Sequence, residues 1–186
     1  MIVILSGVSG AGKDTIKRIL MGKDGRIKTL PSYTTRDKRI NEVEGENYYY
    51  VSKEKFKEMI DNNEFYEYSV HHGNYYGTNK KLLNERIKNN IVLKDIDVNG
   101  TEDLLKIFRG TEIKIISIFL NISKQEMLRR LENRDDKLKQ EEIELRMNRY
   151  DYEMNHIGIY DYIIKNEDAE KTSNIILDII KREQEQ

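Results

Sequence analysis

Cysteine and tryptophan are absent from this chain, proline occurs once, and no hydrophobic run is long enough to span a membrane. Without cysteine there is no disulfide, no zinc thiolate and no thiol redox chemistry, which points to a cytoplasmic home. With a single proline and no low-complexity tract, no disordered linker is expected. The apolar start covers only the five residues before Ser6, too few for a signal-peptide core or a membrane span. An excess of positive charge is also missing. The net charge is -1, so nucleic acid and membrane surfaces are not expected partners. Charged residues make up 35% of the chain, but both signs are interspersed as on solvated helices. A length of 186 residues fits one compact domain with inserts, and composition leaves monomer and homodimer both open.

What the chain does have is alternation of short apolar runs with helical periodicity. Ile2 to Leu5 is an unbroken apolar run that leads into a glycine-rich turn and then a helical segment, Thr15 to Leu20. Further buried parallel strands are expected at Ile91 to Leu93 continuing to Val98, at Ile113 to Leu120, and at Tyr160 to Ile164. Between them lie helical stripes: Leu82, Leu83 and Ile87, then Leu104, Leu105 and Phe108 stopped by Gly110. Ser123 followed by Glu126 forms a capping box for a helix through Leu131. Ile143, Met147, Tyr150 and Met154 mark one face of a long helix, and Ile175, Ile176, Ile179 and Ile180 the buried side of a last one. Strands alternating with helices specify an α/β fold with a parallel sheet. Residues 32–77 break the alternation and read as short antiparallel strands around a helix that starts near Ser52 and buries Phe56, Met59 and Ile60. Arg134 to Gln140 is polar and aperiodic, and is expected to be an exposed, mobile connection.

The turn after the first strand reads GVSGAGKDT, with G-x-x-x-x-G-K from Gly7 to Lys13. Gly7, Gly10 and Gly12 let the backbone N–H groups of the loop, Val8, Ser9 and Ala11 included, curl toward phosphate oxygens. The following helix adds its positive end, and Lys13 a point charge for the terminal phosphates. Strand, glycine loop and helix in this order predict a nucleotide phosphate site spanning Gly7 to Thr15. The loop by itself does not name the acceptor.

Five further segments do. SYTTRDKRINEVEGENYYYVS (Ser32 to Ser52), NEFYEYSVHHGNYYGT (Asn63 to Thr78), DIDVNG (Asp95 to Gly100), RRLENR (Arg129 to Arg134, with Arg146 beyond) and KNED (Lys165 to Asp168) resemble, in order and spacing, the segments of the guanylate kinase family. The resemblance covers almost the whole chain. It implies a P-loop NTPase three-layer α/β sandwich with a central parallel sheet, a small mixed-strand GMP-binding insert and a helical lid. The corresponding divisions are 1–31 (core with phosphate loop), 32–82 (GMP-binding insert), 83–122 (core), 123–150 (lid region) and 151–186 (closing strand and helix).

The activity implied is Mg²⁺-dependent phosphoryl transfer from ATP to GMP, giving ADP and GDP. Glu67 would accept the N1–H and 2-amino hydrogens of guanine, with Asp97 supporting the amino group and Ser32 and Thr78 facing O6 and N7. A carboxylate there rejects adenine, whose N1 offers a lone pair instead of a hydrogen. Arg36, Arg39, Tyr48 and Tyr76 would hold the GMP phosphate. Arg130, Arg134 and Arg146 would be lid cations that neutralise the transferring group and expel water, with Arg149 as a helper. Asn166 resembles the residue at the adenosine end of the ATP site. Tyr49, Tyr50 and Tyr75 are expected to be packing residues, and His71, His72 and His156 structural or exposed.

Several positions depart from the family. Val8, Asn41 and Asn47 stand where Pro, Gly and Asp are common, and Lys94 interrupts an apolar strand, where it would cap an edge or snorkel out. Asp14 stands where the family has Ser or Gly. Its carboxylate would either take up Mg²⁺ or point away and leave the ion to phosphates and to waters held by Thr15 and Asp95. Two other readings compete. Relatives that phosphorylate a ribose bisphosphate precursor carry the G-K-D of Asp14, and non-catalytic guanylate-kinase-like modules bind phosphopeptides through residues like Arg36, Arg39 and Tyr48.

Overall fold

A computed structural model describes residues 1–40, 42–71, 73–133 and 140–185, the side chain of Glu142 excepted. In chain order the elements are β1 (Ile2–Gly7), α1 (Lys13–Lys23), β2 (Ile27–Thr29), β3 (Ser32–Thr34), β4 (Tyr48–Tyr50) and α2 (Lys53–Asp61). There follow β5 (Phe65–His71), β6 (Asn74–Asn79), α3 (Lys80–Arg86), β7 (Ile91–Asp95) and α4 (Val98–Phe108). The chain ends with β8 (Ile115–Asn121), α5 (Lys124–Glu132), α6 (Gln140–Asn155), a 3₁₀ turn (Ile157–Ile159), β9 (Tyr162–Lys165) and α7 (Ala169–Gln184). The strands sort into a five-stranded sheet, made of β2, β7, β1, β8 and β9, and a four-stranded sheet in the order β4-β3-β6-β5. The fold is the expected α/β class, with parallel pairing in the larger sheet.

Two compact units divide the chain. The first comprises Met1–Ile2 and Arg26–Ile115; the second comprises Val3–Gly25 and Ile116–Gln186. In the first, β2 pairs in parallel with β7, Ile27 opposite Ile91 and Thr29 opposite Leu93. β5 and β6 form an antiparallel hairpin, and β6 also runs antiparallel to β3. Phe56 and Met59 of α2 pack with Phe65 into a small core, bordered by Tyr33, Val51, Ile60 and Tyr75. The rings of Phe56 and Phe65 stack with centroids 4.5 Å apart, directly over Gly77, where an added Cβ would lie 2.9 Å from both rings. In the second unit, β8 pairs in parallel with β9, and α1 packs beside α7, where Lys23 donates to Asn174 at 2.7 Å. Every residue of β1 is buried, as an apolar run covered on both faces should be.

Helix starts follow local chemistry. Ser52, Asn79, Asp97, Ser123 and Asp168 each accept a backbone N–H three residues on, at the head of α2, α3, α4, α5 and α7. At Ser123 only half of the expected capping box forms in this way, because the carboxylate of Glu126 goes to Arg129 and Arg130.

Several expectations are corrected. Val98 is the first residue of α4 and not the end of a strand, because Asp97 caps a helix there. β3 and β4 pair in parallel, Ser32 opposite Tyr48, so the insert is the mixed-strand sheet that the resemblance implies and not the purely antiparallel one that local pattern suggests. Ile175 is 47% exposed, so the buried face of α7 is Ile176, Ile179 and Ile180. β2 is a three-residue strand without a sequence signal of its own. Lys94 neither caps an edge nor snorkels; it is 1% exposed. The expected connection Arg134 to Gln140 lies outside the described residues except for Gln140, the first residue of α6, and so do Asn41 and His72.

Candidate active site

The phosphate loop belongs to the second unit. β1 delivers the chain to Gly7, whose φ of 151° and whose virtual Cβ, 2.5 Å from the carbonyl oxygen of Leu120, admit no side chain. Gly12 is the left-handed N-cap of α1, at φ 87°, and offers no side chain to the helix start. The first-turn N–H groups of α1 are thereby left to an external acceptor, the arrangement that makes a helix N-terminus an anion site.

Side chains converge on this loop from later elements of the same unit. The Lys13 ammonium donates to the Gly7 carbonyl at 2.8 Å, folding back across the loop. Arg130 of α5 donates to the carbonyls of Gly10 at 3.2 Å and Asn166 at 3.1 Å. Its Nε is held by Glu126 at 2.6 Å, and hydrogen bonds from Arg129 and then Arg130 keep that carboxyl at about 2. Arg146 of α6 reaches the Ser9 hydroxyl at 2.6 Å. Asn166, 3% exposed, donates to the Ala11 carbonyl at 2.6 Å and crowds the space beside Gly12. Lys13, Ser9, Arg130, Arg146 and Asn166 therefore gather at one loop, with Asn166 against the loop backbone. Arg149 pairs along α6 with Glu153 at 3.2 Å. Arg134 lies outside the described residues.

Asp14 does not reach into this cluster. Its side chain is 93% exposed and pairs with Lys17 at 2.7 Å on the first turn of α1. Thr15 is exposed as well. Among the described residues, no three His, Asp or Glu side chains form a cluster fit to hold a metal ion.

The first unit carries two further clusters. In one, Arg36 donates to Glu42 at 2.6 Å and lies over the Tyr48 ring, 5.3 Å from its centroid. Glu42 also accepts the Arg39 backbone N–H at 2.8 Å and the Tyr50 hydroxyl at 2.8 Å. Partial burial works against this carboxyl, but the bonds from Arg36, Arg39 and Tyr50 outweigh it and hold it at about 2. Burial and then Glu42 push the Tyr50 hydroxyl up to about 12. Tyr76 meets Tyr48 edge to face at 5.9 Å, and the Arg39 side chain is exposed.

In the other cluster, Glu67 of β5 is 7% exposed and accepts a short hydrogen bond from Thr78 of β6. Burial raises its carboxyl above the ordinary range; the Lys94 ammonium and the Thr78 hydroxyl pull it down, and Asp97 and Asp103 push it up again. Lys94 donates to the Leu30 carbonyl at 3.3 Å and to the Ser32 hydroxyl. Asp97 caps α4 and meets His71 Nε2 at 2.8 Å. Gly100 lets Glu67 approach, since a Cβ there would stand 3.2 Å from Glu67 Oε2.

A family profile described as Guanylate kinase matches residues 1–183. The chain belongs to the guanylate kinase family. It is 40% identical over 182 residues to the guanylate kinase of Prochlorococcus marinus, covering 97% of this chain and 96% of that one. To the guanylate kinase of Helicobacter pylori it is 40% identical over 184 residues, covering 97% of this chain and 86% of the other. The crystal structure of guanylate kinase from Anaplasma phagocytophilum is similar over 100% of this chain and 87% of that chain, with a TM-score of 0.80 at 31% identity. Of the residues that the guanylate kinase segments single out, Thr78 bonds the buried Glu67 carboxylate, which also feels the Asp97 charge, Ser32 bonds Lys94, and Arg36 bonds Glu42 and lies over Tyr48, which meets Tyr76. The sequence reading missed Glu42, Tyr50 and Lys94. Glu42 stands three residues after Arg39, a charge spacing that could have marked it; nothing local distinguishes Tyr50 from its neighbours.

Proposed function

We propose that this chain is an ATP:GMP phosphotransferase: the phosphate loop binds ATP, and the two polar clusters of the first unit bind GMP. The observation that carries this reading is the buried Glu67 carboxylate, kept beside a hydroxyl and an ammonium where an apolar side chain would cost nothing. Two acceptor lone pairs on one edge match the N1–H and 2-amino hydrogens of guanine, and the desolvated site penalises a base that leaves them unpaired.

In the reaction, an oxygen of the GMP phosphate forms a bond to the γ-phosphorus of ATP as the bond to the β–γ bridging oxygen breaks. The electron pair leaves with ADP. The loop N–H groups of Gly7 to Thr15 and Lys13 cradle the ATP phosphates. Arg36, Arg39, Tyr48 and Tyr76 orient the acceptor phosphate, with Glu42 holding Arg36 in place. Arg130, Arg134 and Arg146 neutralise charge on the equatorial oxygens, which is most of what such a transfer asks of a protein. Asn166 supports the loop on the ATP side. Ser32, Thr78 and Asp97 complete guanine recognition. A Mg²⁺ arriving with ATP would be held mainly by phosphate oxygens and waters, since the Asp14 carboxylate is paired with Lys17 in solvent. When bound, the ion supplies charge neutralisation at the phosphates. No described helix is long and apolar enough to cross a membrane, and we place the chain in the cytoplasm.

A steady-state panel of nucleoside monophosphates and ribose phosphates, read as ADP release, tests the proposal. GMP is expected to dominate. Turnover on a ribose phosphate with none on GMP would replace this reading with that of a sugar-phosphate kinase; ATP binding without turnover on any acceptor would favour a binding module.

A further inference from the structure

Among the described departures from the family pattern, Lys94 is the one that buries a charge. Its side chain is 1% exposed, one residue before the end of β7. An ammonium taken out of water is strongly destabilising unless hydrogen bonds and an opposite charge offset it. Here two of its three donors go to the Leu30 carbonyl and the Ser32 hydroxyl, and its charge acts on Glu67. The second of those bonds reaches a residue assigned above to guanine.

A serine hydroxyl can ordinarily turn either way, giving its hydrogen to a carbonyl or accepting one from an amino group. The ammonium beside Ser32 occupies one lone pair and turns the hydroxyl hydrogen outward. It also repels any second N–H that approaches the same oxygen. Ser32 becomes a donor. Guanine carries an acceptor oxygen at position 6, and adenine an amino group. At the other end, Glu67 is faced by Lys94 from β7, by the Thr78 hydroxyl from β6, and by Asp97 and Asp103 from α4, with His71 of β5 bonded to Asp97. The two aspartates oppose its charge, and Lys94 favours it.

Resting on the reading of this site as a GMP site, we infer that Lys94 is a positioning and specificity residue: one buried ammonium fixes Ser32 as the donor to the purine 6-position. Lys94 does not touch the base in this scheme; it acts through the Ser32 hydroxyl, which does.

The test is a Lys94→Met variant, which keeps length and removes the charge, assayed beside Ser32→Ala and the wild type with GMP, IMP and AMP across pH. For Lys94→Met, KM for GMP is expected to rise on the order of ten- to a hundredfold, the cost of one charged hydrogen bond, while kcat stays near wild type because the phosphate-binding cations are untouched. The acid limb of kcat/KM should move to higher pH, and the preference for GMP over AMP should shrink. Ser32→Ala should lose the same preference with its acid limb in place, since Lys94 still faces Glu67. A merely structural lysine would lower the melting temperature and move none of these. A folded Lys94→Met with unchanged KM, acid limb and AMP rejection overturns the inference. If Lys94→Met does not fold, Lys94→Gln, which also removes the charge but keeps an amide donor, is read in the same way: unchanged KM and AMP rejection overturn the inference, and a raised KM with weaker AMP rejection upholds it. A wild type inactive on GMP would instead sink the parent reading of function.

Discussion

Asp14 follows Lys13 in sequence, yet the two side chains serve different surroundings. Lys13 turns back onto the Gly7 carbonyl, and Asp14 stands in solvent beside Lys17. A carboxylate in the first turn of a helix also complements the helix dipole, so its presence there has a local reason apart from metal binding. An exposed carboxylate already paired with a lysine has little to offer an ion held by phosphates. Asp14→Ser is therefore expected to leave the Mg²⁺ dependence of turnover within about twofold, since exposed pairs contribute little. A titration of activity against free Mg²⁺ checks this, and a large rightward shift would make Asp14 a ligand. Glu42 illustrates the opposite case. It carries no charge to the substrate in the proposed mechanism, yet it meets Arg36, the Arg39 backbone and Tyr50, and so arranges the residues that do.

The small core of the first unit shows how an element holds a site it does not touch. α2 contributes Phe56 and Met59, β5 contributes Phe65, and Gly77 of β6 leaves room for both rings. This packing fixes the β5–β6 hairpin, in which Glu67 stands opposite Thr78. Truncation by Phe56→Ala should cost about 3–5 kcal/mol, the usual range for a buried phenylalanine. Urea denaturation measures the loss, and a change below about 1 kcal/mol would mean that the hairpin is held by other contacts. Helix α4 contributes differently: Asp97 caps it and Gly100 keeps its first turn thin, so Glu67 can come close. An amphipathic stripe identifies such a helix from sequence, but which small residue faces a carboxylate depends on the partner strand.

At the scale of the whole molecule, stability answers to pH through carboxylates shifted in opposite directions. Glu42 is held at about 2, against an ordinary 4.5. Its contribution is present above the unfolded value and is lost as pH falls from about 4.5 toward 2. Glu67 is raised, so its contribution is present below the ordinary value and is lost as pH rises through its folded value. Glu42→Gln is expected to be destabilised at about pH 7 and to approach the wild type at about pH 3, where the native carboxylate has given up most of its advantage. Urea midpoints at the two pH values check this; an equal gap at both would mean that Glu42 stabilises by shape and not by charge.

Much of this architecture was legible in the chain itself. The phosphate loop could be read because its glycines, lysine and flanking strand and helix are consecutive, and backbone geometry is a local property. Helix caps at Ser52, Ser123 and Asp97 and the core faces of α2 and α4 are local in the same sense. Contacts between residues far apart in sequence were not legible. Lys94 reaches Ser32 across 62 positions, and Arg130 reaches Gly10 across 120. Charge alone made Lys94 look like a surface residue. Only the tertiary fold could bury it, because a buried ammonium is tolerable where a carbonyl, a hydroxyl and a carboxylate arrive together from other strands, and that meeting is written in no single segment.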